Sequence, residues 1–252
     1  MEGEPGLRER KKLRTRQLIA ETARQLFAER GFDAVPVAAV ARAAEVSEAT
    51  VFNYFPTKED LVFQGMEAFE TELLAAVADR PAGEPIAAAF ARFVLAPRGF
   101  LAAEDENSAR YLTAVSQMIA ASPALLSRER EILARYTASL AALIAEDTAA
   151  DPGDLRPRVV AHALIGTHQS LIELVRRRLL DGPPTDHARL AREVRTQGRR
   201  ALDLLEQGLA AYAAKPAADP GEAPRSGRPD RRGTARNPAH DDAAHSAGPA
   251  VV

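Results

Sequence analysis

The chain has 252 residues, of which 46% are hydrophobic and 27% charged, and its formal net charge is -2. Because it contains no cysteine, disulfide frameworks, thiolate zinc sites, iron–sulfur clusters and cysteine nucleophiles are excluded. Aromatic residues make up only 5% of the chain, which favours helix over sheet. No apolar run is long enough for a membrane span or a secretory signal, and we expect a cytoplasmic protein with no membrane partner.

Regularly spaced apolar residues predict helices over most of the chain. In the first of them, Ile19 and Phe27 fall on one helical face. Gly31 is expected to end this helix in a left-handed conformation, with Phe32 adding an apolar contact. No segment alternates as a strand does, and the predicted fold class is therefore all-α. Further helices are predicted at 58–79, 84–97, 106–121, 123–149, 155–180 and 187–213.

Two short helices close together in the chain carry the most specific signal. The first is predicted from Pro36 to Ala44 and the second over 48–54, with Ser47 as its N-cap. Two short helices joined by a tight turn are typical of a helix-turn-helix, whose second helix enters the DNA major groove. Val51 and Phe55 are expected to anchor this second helix. The opposite face is left to read base edges, and it carries Glu48, Ala49, Thr50, Asn53 and Tyr54.

A further helix start follows directly after the second short helix. Thr57 and Asp60 have the spacing of a variant capping box. Lys58 lies in that first turn, where the helix dipole disfavours a cation by up to about 1 kcal/mol. A DNA phosphate at the helix N-terminus would offset this repulsion, whereas a solvated surface lysine would need no partner. Both interpretations of Lys58 stay open.

The motifs GFDAV at 31–35 and ATVFNYFPTKEDL at 49–61 stand at a fixed spacing on either side of the tight turn. From about Arg14 to Phe63 the chain thus resembles the DNA-binding domain of the TetR family of bacterial repressors. The resemblance implies an N-terminal three-helix helix-turn-helix DNA-binding domain followed by a helical ligand-binding and dimerisation domain. It implies base-edge contacts for Glu48, Ala49, Thr50 and Asn53, and phosphate contacts for Tyr54, Lys58 and the capping residue Ser47.

Two positions depart from the family pattern. Pro36 stands where a threonine commonly caps the first short helix, so the hydroxyl that would touch a phosphate is absent. Glu45 stands where the turn usually has glycine. Either this non-glycine residue takes the strained turn conformation or the turn is reshaped, at a cost of about 1 kcal/mol.

A basic segment precedes the motif, with six basic residues and one acidic residue between positions 8 and 16. Local cations at a contact face govern counterion release from DNA, whatever the net charge of the whole protein. We expect Lys11, Lys12 and Arg14 to touch phosphates or the adjacent minor groove. A frayed, solvated helix start is the alternative.

Composition divides the chain into four parts. Residues 215–252 contain many Pro and Gly residues and only two large aliphatic ones, so this segment is expected to be a disordered tail. The predicted organisation is a flexible N-terminus at 1–7, a TetR-like helix-turn-helix domain at 8–61, a helical ligand-binding and dimerisation domain at 62–214, and the tail at 215–252.

The region after the helix-turn-helix contains no recognisable catalytic motif. His162 and His168 are six residues apart and fall on different helix faces, which argues against a shared metal. We therefore expect no enzyme activity, no metal and no cofactor. The family resemblance implies an effector cavity, and the stretch at 142–166 is similar to a branch associated with acyl-CoA-like ligands. The residues suited to contact an effector are Phe90, Phe93, Tyr111, Met118, Tyr136 and His162.

The last two predicted helices carry apolar stripes that suit pairing in a four-helix dimer interface. The interface candidates are Leu164, Thr167, Leu171, Val175, Val194, Ala201 and Leu205. A twofold dimer matches a near-palindromic operator in double-stranded DNA.

The sequence therefore predicts a homodimeric transcriptional repressor that a small-molecule effector releases from its operator. The first alternative is a helical small-molecule-binding protein or enzyme with a vestigial DNA-binding domain. The second is an architectural DNA binder that has no effector.

Overall fold

The computed structural model describes residues 6–97, 106–182 and 187–208. Within these ranges the chain forms only helices and turns, which confirms the all-α fold class. The three helices of the N-terminal part are α1 (Leu7–Arg30), α2 (Val37–Ala43) and α3 (Glu48–Tyr54). The remaining helices are α4 (Met66–Ala78), α5 (Ile86–Val94), α6 (Glu106–Ala121), α7 (Pro123–Asp147), α8 (Arg156–Leu180) and α9 (His187–Gln207).

The helix predicted at 58–79 is wrong in its first turns. The chain forms only a 3-10 turn at Glu59–Leu61, and α4 begins at Met66. The interruption is Gly65, which has φ +86° and lies in the left-handed region. Glycine adopts this conformation without a Cβ clash, so the chain changes direction here before α4 starts.

The helix-turn-helix follows its predicted local signals. Pro36 is the N-cap of α2 with φ -74°, which suits a helix start. In the turn between α2 and α3, the Val46 amide donates to the Ala41 carbonyl at 2.9 Å. Glu45 has φ +56°, so a non-glycine residue does occupy the left-handed turn position. Ser47 then caps α3, because its Oγ accepts from the Thr50 amide at 3.0 Å.

The N-terminal core is closed by helices from both parts of the chain. Phe27 and Phe32 meet edge to face at 5.1 Å around Gly31, which has φ +82°. The same buried cluster includes Ile119 near the end of α6 and Leu125 at the start of α7. The three N-terminal helices are therefore packed on the α6–α7 corner.

The C-terminal core lies mainly between α4, α5, α7, α8 and α9. Glu129 early in α7 pairs with Arg176 late in α8, so these two long helices run antiparallel. Gly198 allows α9 to approach α5 closely, because a Cβ at this position would lie 2.5 Å from Leu95 Cδ2.

Some expectations fall outside the described ranges. These are the tail at 215–252, residues 1–5 and the last residues of the helix predicted at 187–213. Leu7, expected in the flexible N-terminus, is the first residue of α1. None of the described helices is both long and apolar enough to cross a membrane.

The left-handed Glu45 leads to a stability prediction. Glu45→Gly should raise the free energy of unfolding by about 0.5 kcal/mol, because the relief of backbone strain exceeds the entropy that glycine adds to the unfolded chain. Urea denaturation followed by circular dichroism measures this. Ala39→Gly in α2 is the control and should lower the same free energy by about 0.5–1 kcal/mol. A loss of stability in Glu45→Gly would contradict the strain argument.

Candidate nucleic-acid interface

Helix α3 is anchored by one face and open on the other. Val51 and Phe55 are each 1% exposed and belong to the N-terminal core. On the outward side, Ala49 and Asn53 are exposed, and Thr50 is half-buried against the Ser47 cap. Because α3 has only seven residues, its position depends on this anchoring rather than on helix propensity.

The basic segment of α1 and the outward face of α3 border the same depression. This feature, which we call the basic groove, is open and has a volume of about 750 Å³. It is lined by Arg8, Lys11, Lys12, Thr15, Thr50, Asn53 and Tyr54. A groove lined by cations and hydrogen-bonding groups suits a polyanion.

Some residues of the predicted interface do not line the basic groove. Glu48 is exposed in the first turn of α3, where a carboxylate stabilises the helix dipole. Arg14 is exposed on α1 but lies outside the groove lining. Arg16, also in the basic segment, is turned inward: its guanidinium lies 4.9 Å from the Phe55 ring centroid and bonds to the Tyr54 carbonyl at 3.5 Å.

Lys58 makes contacts that the sequence analysis did not foresee. Its Nζ donates to the Phe32 carbonyl at 2.6 Å and lies 4.2 Å from the Phe32 ring centroid. Burial lowers the pKa of Lys58, and the nearby carboxylates of Asp33 and Glu59 oppose that shift. A phosphate contact by Lys58 stays a prediction, but the ammonium already has a structural role in the N-terminal core.

The turn that follows α3 is held by α7. The amide of Thr57 donates to Asp60 Oδ2 at 3.0 Å and the amide of Asp60 to Thr57 Oγ1 at 3.3 Å, as the predicted capping box requires. Arg128 on α7 donates from Nε to the other carboxylate oxygen, Asp60 Oδ1, at 2.9 Å. Further along α7, the Tyr136 hydroxyl donates to the Met66 carbonyl at 2.5 Å. Helix α7 therefore holds the segment between α3 and α4 at its middle, through Asp60, and α4 at its first residue, Met66.

Phe52 was missed by the sequence analysis. Its side chain is 45% exposed on α3, although it is a large apolar residue. Counting 100° per residue from the buried Val51 would have placed Phe52 at the edge of the outward face.

The six candidate effector contacts do not meet in one cavity. Phe90, Phe93 and Tyr136 are buried in the C-terminal core. Tyr111 lies under the Arg24 guanidinium at 5.0 Å, away from that core. The other two line separate depressions, Met118 beside the end of α1 in a crevice of about 440 Å³, and His162 in a groove of about 680 Å³ between α7 and α8.

His168 is half-buried against the C-terminal core. Its ring stacks on Phe69 with centroids 5.2 Å apart, and Nδ1 is shielded from solvent with no hydrogen-bond partner among the described residues. Burial lowers the pKa of His168 to about 4, so the ring is neutral at physiological pH.

Three of the seven candidate dimer contacts need correction. Leu164, Leu171 and Val194 lie inside the core of their own chain and are at most 8% exposed, so they have no surface to offer a partner. Periodicity alone could not distinguish a core-facing stripe from an interface stripe, because both are apolar. The other four are half-buried: Thr167, Val175, Ala201 and Leu205.

Two family models match the chain. The model described as bacterial regulatory proteins, tetR family, matches residues 19–64, and the MftR C-terminal domain model matches residues 84–214, which is 131 of the 252 residues. The chain belongs to the TetR family. It is a transcriptional regulator with a helix-turn-helix DNA-binding domain.

Curated relatives of this TetR-family regulator match over short stretches. It is 40% identical over 80 residues to the HTH-type transcriptional regulator TcmR of Streptomyces glaucescens, covering 32% of this chain and 35% of TcmR. It is 52% identical over 50 residues to the HTH-type transcriptional regulator LuxR of Vibrio harveyi, covering 20% of this chain and 24% of LuxR. The matches thus span about a third or less of these relatives.

Among solved structures, NalD, the secondary repressor of the MexAB-OprM multidrug efflux pump in Pseudomonas aeruginosa, is similar with a TM-score of 0.48. It is 21% identical, and the match covers 76% of this chain and 97% of NalD. Within the described part of the regulator, no group of three or more His, Asp or Glu residues could hold a metal ion.

The tether between α7 and the turn after α3 leads to a second prediction. Arg128→Gln should weaken operator binding about fivefold. The Arg128–Asp60 pair holds the turn after the recognition helix, and its loss should cost about 1 kcal/mol of binding free energy. Fluorescence anisotropy with an operator duplex measures the affinity, and urea denaturation checks the fold. Arg92→Gln, which breaks the Arg92–Glu84 pair on α5, is the control and should leave affinity unchanged. Equal affinity in wild type and Arg128→Gln would show that the tether does not position α3.

Proposed function

We propose that this regulator is a homodimeric repressor that binds a near-palindromic operator and is released by a small-molecule effector. The observation that carries the DNA-binding part is the basic groove, in which cations of α1 and the outward face of α3 border one open depression. Phosphate contacts from α1 would set the register in which α3 meets the base edges.

The proposed contacts divide by chemistry. The amide of Asn53 can pair with adenine, and Thr50 can donate or accept a hydrogen bond. Glu48 can accept from cytosine, or stabilise the helix dipole without touching DNA. The proposed base-edge residues are Glu48, Ala49, Thr50 and Asn53, and the proposed phosphate contacts are Ser47, Tyr54, Lys58, Lys11, Lys12 and Arg14.

The surface proposed for dimerisation is the outward face of α8. Gly166 is exposed in the middle of this helix, and a Cβ there would meet no atom of the described part of the chain within 4 Å. Glycine inside a helix costs about 1 kcal/mol relative to alanine, and the chain's own packing gives no reason for it. A second copy of α8 that crosses closely at Gly166 would explain why a glycine stands at this position.

Charge and apolar exposure support this crossing. Arg158 and Glu173 are both exposed, eight residues before and seven residues after Gly166. In an antiparallel twofold crossing at Gly166, Arg158 would face the partner's Glu173 at both ends. Val159, which is 63% exposed, lies on the same face and would become buried.

The effector is proposed to bind the C-terminal helices. The groove between α7 and α8 has an apolar floor that includes Leu133 and Ile165, and Arg130 and Arg158 stand at its rim. This chemistry suits a molecule with an anionic head and an apolar chain, as an acyl-CoA-like effector has. Gly166 also lines the groove, so an effector there would border the proposed dimer interface.

Release would require the effector to bind two states of the protein with different affinities. A shift of α8 against α7 would act on the buried Arg176–Glu129 pair, and the adjacent Arg128 holds the turn after α3. The helix predicted at 58–79 begins only at Met66, so the proposed route runs through these contacts of α7.

DNA-binding experiments distinguish the repressor from the two alternative functions. Thr50→Ala, Asn53→Ala and Lys12→Gln together should abolish specific binding of a regulator while leaving its fold intact. Failure of the intact protein to bind any genomic duplex would favour the small-molecule-binding protein or enzyme with a vestigial DNA-binding domain. DNA binding that no small molecule alters would favour the architectural protein.

The basic groove leads to a third prediction, on salt dependence. Neutralising Lys11, Lys12 and Arg14 with glutamine should flatten the slope of log affinity against log salt by about 1 for each phosphate that is no longer neutralised. Anisotropy titrations at several salt concentrations measure the slope. Arg200→Gln, on the exposed face of α9, is the control and should leave it unchanged. An unaltered slope in the triple variant would rule out phosphate contact by the basic segment.

The crossing at Gly166 leads to a fourth prediction. Gly166→Leu should raise the dimer dissociation constant at least about tenfold, because the larger side chain would separate the two α8 helices by more than contact distance. Analytical ultracentrifugation measures it. Ala188→Leu on the exposed face of α9 is the matched control and should stay dimeric.

Charge reversal adds an independent check on the crossing. Arg158→Glu should weaken the dimer, and Arg158→Glu combined with Glu173→Arg should restore it. Dimers unaffected by any of these substitutions would place the interface elsewhere.

A further inference from the structure

The solvent-facing side of α3 is divided lengthwise. Thr50 and Tyr54 line the basic groove on the side of α1. Along the other edge lie two exposed apolar residues, Ala49 and Phe52, three positions apart. This spacing keeps them on one side of the helix. We call this line of residues the apolar edge.

The chain itself gives the apolar edge no partner among the described residues. Phe52 is 45% exposed and belongs to neither buried cluster nor to the residues packed against them. Anchoring of α3 is carried by Val51 and Phe55 on the opposite side. A single exposed apolar residue needs no explanation on an ordinary surface. Phe52, however, lies on the helix that borders the basic groove. A polyanion bound in that groove would therefore also contact Phe52.

The chemistry of the major groove identifies an apolar counterpart. Base edges in that groove present hydrogen-bond donors and acceptors, and the one apolar group among them is the C5-methyl of thymine. A phenyl ring cannot hydrogen-bond to a base, but it contacts this methyl group well. Phosphates bound by the cations of α1 in the basic groove would hold α3 against the duplex, with the apolar edge facing the bases beside Thr50 and Asn53.

We propose that Phe52 contacts thymine methyl groups in each half-site, and that it thereby makes thymine a requirement at those positions. This inference rests on the proposed DNA-binding function and adds a base preference to it. Ala49 contributes a smaller contact of the same kind. Cytosine lacks the methyl group and would be disfavoured at these positions.

The experiment removes only the methyl group. A duplex is selected by the full-length protein from random-sequence DNA, and each thymine is replaced in turn by deoxyuridine. For wild type, at least one replacement in each half-site should weaken binding about fourfold, which corresponds to burial of one methyl group. For Phe52→Ala the same replacement should cause no further weakening. Phe52→Leu should retain part of the methyl dependence.

Asn53→Ala is the matched control, because it alters the neighbouring position without removing the phenyl ring. It should weaken binding yet keep the fourfold effect of the methyl group. Circular dichroism and thermal unfolding check that each variant folds, as the exposure of Phe52 leads us to expect.

The other outcomes overturn the inference in distinguishable ways. If wild type binds the selected duplex and no deoxyuridine replacement weakens it, the proposed function stands and the methyl contact is wrong. If Phe52→Ala keeps the methyl dependence, another residue reads the thymine. If Phe52→Ala changes only the oligomeric state in sedimentation, the apolar edge is a protein contact. If wild type selects no duplex, the DNA-binding function itself fails and the inference with it.

Discussion

The recognition helix is held in position by a core that it shares with the C-terminal helices. Val51 and Phe55 enter a buried cluster that also contains Ile119 and Leu125 from the α6–α7 corner. A helix of seven residues is too short to be stable alone, so this burial both forms α3 and decides which of its faces points outward. Every assignment of a DNA contact on α3 depends on that packing.

The same packing links α3 to the rest of the chain. The segment after α3 forms only a 3-10 turn before Gly65, so α3 and α4 are not joined by a continuous helix. Helix α7 bridges the interruption, because Arg128 holds Asp60 and Tyr136 holds Met66. Glu129, next to Arg128, pairs with Arg176 on α8. Helix α7 therefore contacts α8 through Glu129 and the turn after α3 through the neighbouring Arg128.

The local features of the site could be read from neighbouring residues. The Ser47 cap, the Thr57–Asp60 capping box and the left-handed Glu45 each depend on a few adjacent positions, and all three are present. The role of Lys58 could not be decided from the sequence, because its hydrogen-bond partner is the carbonyl of a residue 26 positions earlier in the chain. Phe52 was overlooked because its exposure depends on where the core lies around α3.

The sequence by itself determined the all-α fold, the bounds of most helices and the family to which the chain belongs. These follow from periodicity, caps and a motif of fixed spacing, which are properties of nearby residues. Only the tertiary structure decided which apolar stripes are core. It buried Leu164 and Val194 within the chain, left Val159 exposed, and distributed the effector candidates among separate places. The physical reason is that an apolar face on a helix is the same in sequence whether its own chain or another molecule covers it.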